Sequence, residues 1–170
     1  FGGLDLYACA RPLESAEFDF SFPQNLGEII NTGGDEISPY YEPNVQTLWF
    51  SSNGQISLGG LDIFKTTLST GKWSKPENPG WPLNSPADDL FFSRIMNDKK
   101  GGAFFVSNRS VEGRKPGTAD EDIFEYTPGN AGADVSYSVP VRTGPDSLEM
   151  TESPVLYRVH LEIQPDFEPE

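Results

Sequence analysis

The chain has 170 residues and carries 26 Asp and Glu against 12 Lys and Arg, for a formal net charge of −14. That balance excludes a nucleic-acid backbone as partner, since phosphate binding needs clustered cations, and it disfavours adsorption to an anionic membrane. Only 36% of residues are hydrophobic, but 12 Phe, 6 Tyr and 3 Trp can build a core, and 17 Gly with 15 Pro interrupt every helical pattern, so the expected class is all-β.

The chain opens on Gly3-Leu4-Asp5-Leu6-Tyr7, a phrase that returns as Gly60-Leu61-Asp62-Ile63-Phe64 and again as Glu121-Asp122-Ile123-Phe124. The aspartates stand 57 and then 60 residues apart, and such a period signals stacked, similar modules. Residues 1–19 read as the end of a preceding module, and because Phe1 starts inside the phrase the chain reads as a fragment. Next, Asn25-Leu26-Gly27, Ile30-Asn31-Thr32 and Asp35-Glu36 are echoed 53 residues later by Asn78-Pro79-Gly80, Leu83-Asn84-Ser85 and Asp88-Asp89. Residues 36–41 then read as a strand, Glu42-Pro43-Asn44 as a turn, and 47–52 as a second strand with Leu48 and Phe50 on one face. A third strand covers 61–67, and Trp73 lies on a short fourth.

Four strands per period is the plan of a β-propeller blade. The expected fold is thus a partial β-propeller of four-stranded antiparallel blades, with one blade over 20–72 and another over 73–128. The second repeat has strands near 89–95, 102–107 and 121–127 and no clear fourth. Residues 129–154 read as a linker. Beyond it Val155, Tyr157, Val159, Leu161 and Ile163 alternate with Leu156, Arg158, His160 and Glu162, which predicts an outlying strand or the start of a further domain over 155–170.

The run from Asn25 to Pro39, then Pro43, Thr47 to Asn53 and Gly59 to Phe64, resembles the TolB-like (WD40-like) propeller repeat. The version it is most similar to occurs in Bacteroidota envelope proteins that also carry OmpA-like peptidoglycan-binding domains. The resemblance spans roughly residues 1–128 and departs at the usual Pro-Asp-Gly-Lys turn, which here is Pro43-Asn44-Val45-Gln46. It implies a periplasmic, outer-membrane-associated location, envelope proteins as partners, peptidoglycan held by neighbouring domains, and an association with type IX secretion. A five-residue stretch, Tyr157 to Leu161, also looks like the opening of a SPOR-type peptidoglycan-binding domain.

The repeats also single out candidate site residues. Asp5, Asp62 and Asp122 open the third strand of each module and read as structural acceptors of backbone N–H groups from the preceding loop. Calcium would need six to eight oxygens, and no dense run of acids supplies them, so no metal is assigned. Asn31, Asp35 and Glu36, with Asn84, Asp88 and Asp89, fall where the chain crosses between blades, at one mouth of a propeller channel. There they read either as a partner-binding acidic rim, the role the resemblance supports, or as turn caps. Trp81, between Gly80 and Pro82 in a crossing loop, joins them as an exposed anchor for a protein or a sugar, whereas Trp49, Phe50, Phe104 and Phe105 read as packing between blades.

Catalysis has no support: His160 is the single histidine, Cys9 the single cysteine, and no serine elbow precedes a helix. No cofactor and no membrane-spanning segment is expected. Asp146-Ser147-Leu148 fits a short O-glycosylation pattern, with Ser147 as acceptor. The expected function is a non-catalytic envelope scaffold; the alternatives are a carbohydrate-binding module or the accessory propeller of a peptidase.

Overall fold

The computed structural model describes residues 2–12, 20–110, 121–128 and 134–137. The described residues are all-β and form three antiparallel sheets. A two-stranded unit pairs β1 (Tyr7–Ala8) with β2 (Gln24–Asn25). The first four-stranded sheet takes β3 (Glu36–Glu42), β4 (Thr47–Ser52), β5 (Asp62–Ser69) and β6 (Lys72–Trp73) in chain order. The second does the same with β7 (Asp89–Arg94), β8 (Ala103–Ser107), β9 (Asp122–Thr127) and β10 (Asp134–Tyr137).

Each four-stranded sheet is a meander, with every strand paired antiparallel to the next in the chain. In β4 the alternation sends Leu48 and Phe50 to one side and Trp49 to the other, and both sides are covered. Leu48, Phe50 and Phe64 meet Leu6 and Ile30, which ties the two-stranded unit to the first sheet. On the opposite face Trp49 and Ile63 meet Leu83, Phe92, Ala103, Phe105 and Phe124 of the second module. Trp49 stacks on Phe92 with ring centroids 3.9 Å apart and planes 17° from parallel. Burying rings of this size contributes about 2–3 kcal/mol each, so the aromatics carry the joint between sheets.

Both first strands bulge at the same repeat position. Pairing slips between Ile37 and Tyr40 and between Leu90 and Ser93, with Ser38 at φ 53° and Phe91 at φ 52°. A bulge of this kind bends the strand and re-aims its remaining side chains, and here it is part of the repeat.

The structure departs from the sequence reading in three places. A fourth strand of the second sheet, β10, lies inside the stretch read as a linker and pairs with β9 from Phe124 to Thr127. Gln24–Asn25, which the sequence did not mark as a strand, pairs back onto β1. Phe104 does not pack between the two sheets; it points away from the first sheet and is 43% exposed. Residues 155–170, including the outlying strand, and Ser147 lie outside the described residues.

Candidate functional site

The asparagines and acids of the repeat form one hydrogen-bonded device, built twice. In its second copy the Asn84 side chain lies alongside Ile63 of β5. The Ile63 N–H donates to Asn84 Oδ1 at 2.8 Å, and Asn84 Nδ2 donates to the Ile63 carbonyl at 2.7 Å. The amide thus pairs with a peptide group as another strand would. In the first copy Asn31 makes the same two bonds to Leu6, at 2.8 and 3.0 Å.

The rest of the device repeats bond for bond. Asn31 and Asn84 each donate to a preceding asparagine, Asn25 and Asn78, and these donate in turn to Asp5 and Asp62. Asp35 accepts from Leu4 N–H at 2.8 Å and Asp88 from Leu61 N–H at 2.9 Å. Asn53 caps the Asp35 N–H, and Asn108 caps that of Asp88. Each latch therefore fastens the third strand of one module to the first strand of the next.

The inner acids close the device from behind. Glu36 is buried and accepts from Thr32 N–H, Thr32 Oγ1 and Ser52 Oγ. Asp89 is buried and accepts from Ser85 N–H and Ser85 Oγ, but its shorter side chain is completed by Arg109 at 2.5 Å. The Arg109 guanidinium also donates to the carbonyls of Pro82 and Leu83, both at 2.8 Å, and lies over the rings of Phe105 and Phe124. At the matching position the first module has Gly54, where a Cβ would lie 1.8 Å from Thr32 Oγ1. Gln55 donates there to the Ile30 carbonyl instead.

Each predicted residue among those described now has a place. Asn31, Glu36, Asn84 and Asp89 are buried, while Asp35 and Asp88 are half-buried and hold backbone N–H groups. Asp62 accepts from Leu58 and Gly59 N–H and from Asn78. Asp5 accepts from Asn25, and Asp122 sits half-buried opposite Ser107. Trp81 stands apart, 49% exposed, with Arg109 5.7 Å from its ring.

The latch loops converge. Gln55 reaches Ile30, Asn53 reaches Asp35, and a Cβ on Gly59 would meet the Ala87 carbonyl at 2.4 Å. Ile29, Ile56, Leu58 and Trp81 in these loops are exposed. At the far end a cleft of about 520 Å³ opens between the two sheets, lined among others by Trp49, Lys65 and Thr66. Within it Arg94 pairs with Glu42 at 3.1 Å and Lys65 with Glu77 at 3.3 Å, the Trp49 indole N–H donates to Glu42 at 2.5 Å, and Asp98 accepts from backbone N–H groups.

Arg109 and Glu42 carried no sequence signal, because neither belongs to the repeat phrase and their partners lie far along the chain. The one hint was a difference between copies, Glu36 against Asp89, which calls for a compensating group beside the shorter acid. Comparison with family models, curated proteins and solved structures gave no match.

Proposed function

We propose that the chain is a non-catalytic interaction scaffold of the cell envelope, built from consecutive blades of a β-propeller. One observation carries this reading: the same latch fastens module to module at both junctions, as expected of an array whose sheets stack face to face around an axis. The resemblance to TolB-like repeats of envelope proteins supplies the location and the class of partner. Most repeat acids serve as internal fasteners, so partner binding falls to the convergent loops. Their exposed Ile29, Ile56, Leu58 and Trp81, flanked by the half-buried Asp35 and Asp88, combine apolar anchors with negative charge.

The test is quantitative recovery of envelope proteins on the immobilised chain. Trp81→Ala and Leu58→Ala leave the latches intact and are expected to reduce recovery at least threefold; equal recovery with both variants overturns the scaffold reading. The half-exposed Trp81 also favours a second reading, a carbohydrate-binding surface on which the indole stacks against a sugar. Glycan-array binding that disappears in Trp81→Ala, without loss of any protein partner, would decide for it.

A further inference from the structure

The two junctions carry the same latch but not the same loop ahead of it. Glu28 and Trp81 occupy one repeat position, 53 residues apart, each directly after a glycine in the left-handed region, Gly27 at φ 86° and Gly80 at φ 70°. Both side chains are exposed. The first junction therefore presents an acid to solvent where the second presents an indole, 49% exposed. The open half of that indole adds nothing to the core.

What lies behind the two loops differs as a set. In the first junction Ser52 Oγ donates directly to Glu36 at 2.7 Å. In the second the acid is one methylene shorter, and the Arg109 guanidinium joins Asp89 to Ser107, donating to them at 2.5 and 3.0 Å. Completing Asp89 needs one donor, yet Arg109 directs two further N–H groups at the carbonyls of Pro82 and Leu83, which directly follow Trp81. At the first loop a single bond plays that part, from Gln55 Nε2 to the Ile30 carbonyl at 3.2 Å. The guanidinium also lies 4.8 and 5.2 Å from the centres of the Phe105 and Phe124 rings and 5.7 Å from that of Trp81. Its side chain is 10% exposed and both phenylalanines are buried, so Arg109 ties an exposed indole to the core of the second sheet. Only a planar fork of five donors can serve an acid, a hydroxyl and two carbonyls at once.

We infer that Arg109 is the positioning residue of a protein-binding anchor at Trp81, and that of the two described junctions only the second carries this anchor. This role rests on the scaffold reading and says how its central contact is held. The partner seats an apolar side chain on the indole, and Arg109 orders the loop beforehand, so that little ordering is left to the moment of binding. Exchanging the Glu36 arrangement for Asp89 with Arg109 thus makes the latch support a binding residue as well as a joint.

The three tryptophans, Trp49, Trp73 and Trp81, give three fluorine resonances when the chain is labelled with fluorinated tryptophan, each assigned by replacement with Phe. In the unaltered chain the Trp81 resonance should lie away from that of the free amino acid. Arg109→Lys keeps a cation for Asp89 but cannot serve both carbonyls, so the Trp81 resonance should move to the free position while that of buried Trp49 holds. Asp89→Glu combined with Arg109→Gly installs the first junction's chemistry and should do the same. Recovery of envelope proteins on either variant should fall at least threefold, as with Trp81→Ala. A Trp81 resonance unchanged in Arg109→Lys reduces Arg109 to the counter-charge of Asp89 and overturns the inference. Full recovery on the Arg109 variants, where Trp81→Ala still loses it, overturns the inference and leaves the scaffold reading standing. Recovery indifferent to Trp81→Ala itself removes the scaffold reading and the anchor with it, even where the displaced resonance shows that Arg109 braces the loop.

Discussion

Asn84 is the residue on which the junction turns, because its amide offers the same donor and acceptor as the peptide group it replaces. Truncating it leaves the N–H and carbonyl of Ile63 buried without partners, and each such group costs about 1–3 kcal/mol. Asn84→Ala should therefore lower unfolding free energy by about 3 kcal/mol in urea melts, and Asn84→Asp should recover little, since a carboxylate cannot donate to the Ile63 carbonyl. Arg109→Ala strands the buried Asp89 carboxylate and should cost about 3–5 kcal/mol. Arg109→Lys should restore only part of that, because one ammonium cannot serve the Pro82 and Leu83 carbonyls, Ser107 and Asp89 together. Asp98 behaves differently. The Lys100 N–H, and then the Gly102 N–H, hold its carboxyl below the usual carboxylate range. A lowered folded-state value contributes stability above the unfolded value, about 3.9, and loses it as pH falls through the folded one. Amide protection factors in the 95–102 turn, taken relative to the intrinsic exchange rate at each pH, should thus fall on acidification below about pH 4, and Asp98→Asn should flatten that response.

At the scale of elements, the strands legible in the sequence were those with long apolar runs or strict alternation. Thr47 to Ser52 and Ala103 to Ser107 are central strands, and their composition announced them. The strand Asp134–Tyr137 was hidden because four residues after a Gly- and Ala-rich stretch carry too little pattern to separate strand from linker. The latch was half legible: repetition exposed Asn31, Asp35, Glu36 and their echoes, but the partners lie more than 20 residues away, so their work as fasteners could not be read from spacing. Phe104 was misplaced for a simpler reason, since a pattern identifies the apolar faces of a strand but not which of them a neighbour covers. The bulge at Phe91 gives this scale its own prediction. A phenylalanine at φ 52° carries strain that glycine does not, of about 1 kcal/mol. Phe91→Gly should raise the thermal midpoint slightly; a lowered midpoint would show that the ring packs in the free protein.

At the scale of the molecule, three sheets lie in chain order, joined by two aromatic layers and two latches. The chain carries a net charge of −14, and its like charges repel one another. Raising salt from about 0.02 M to 0.3 M shortens the screening length to below about 10 Å and should increase the thermal midpoint. A midpoint that falls over the same range would mean that the surface ion pairs, such as Lys65–Glu77, outweigh the repulsion.

The asparagine grip takes hold of a peptide group and ignores the side chain attached to it: Leu6 fills one seat and Ile63 the other. A fastening of that kind makes modules interchangeable. Loops can lengthen, as the aspartate spacings of 57 and 60 already show, and core residues can drift, while any unit keeping the two asparagines and the acid pair still fits its neighbour. Duplication, loss or reshuffling of modules then needs no new interface to be invented at the joint.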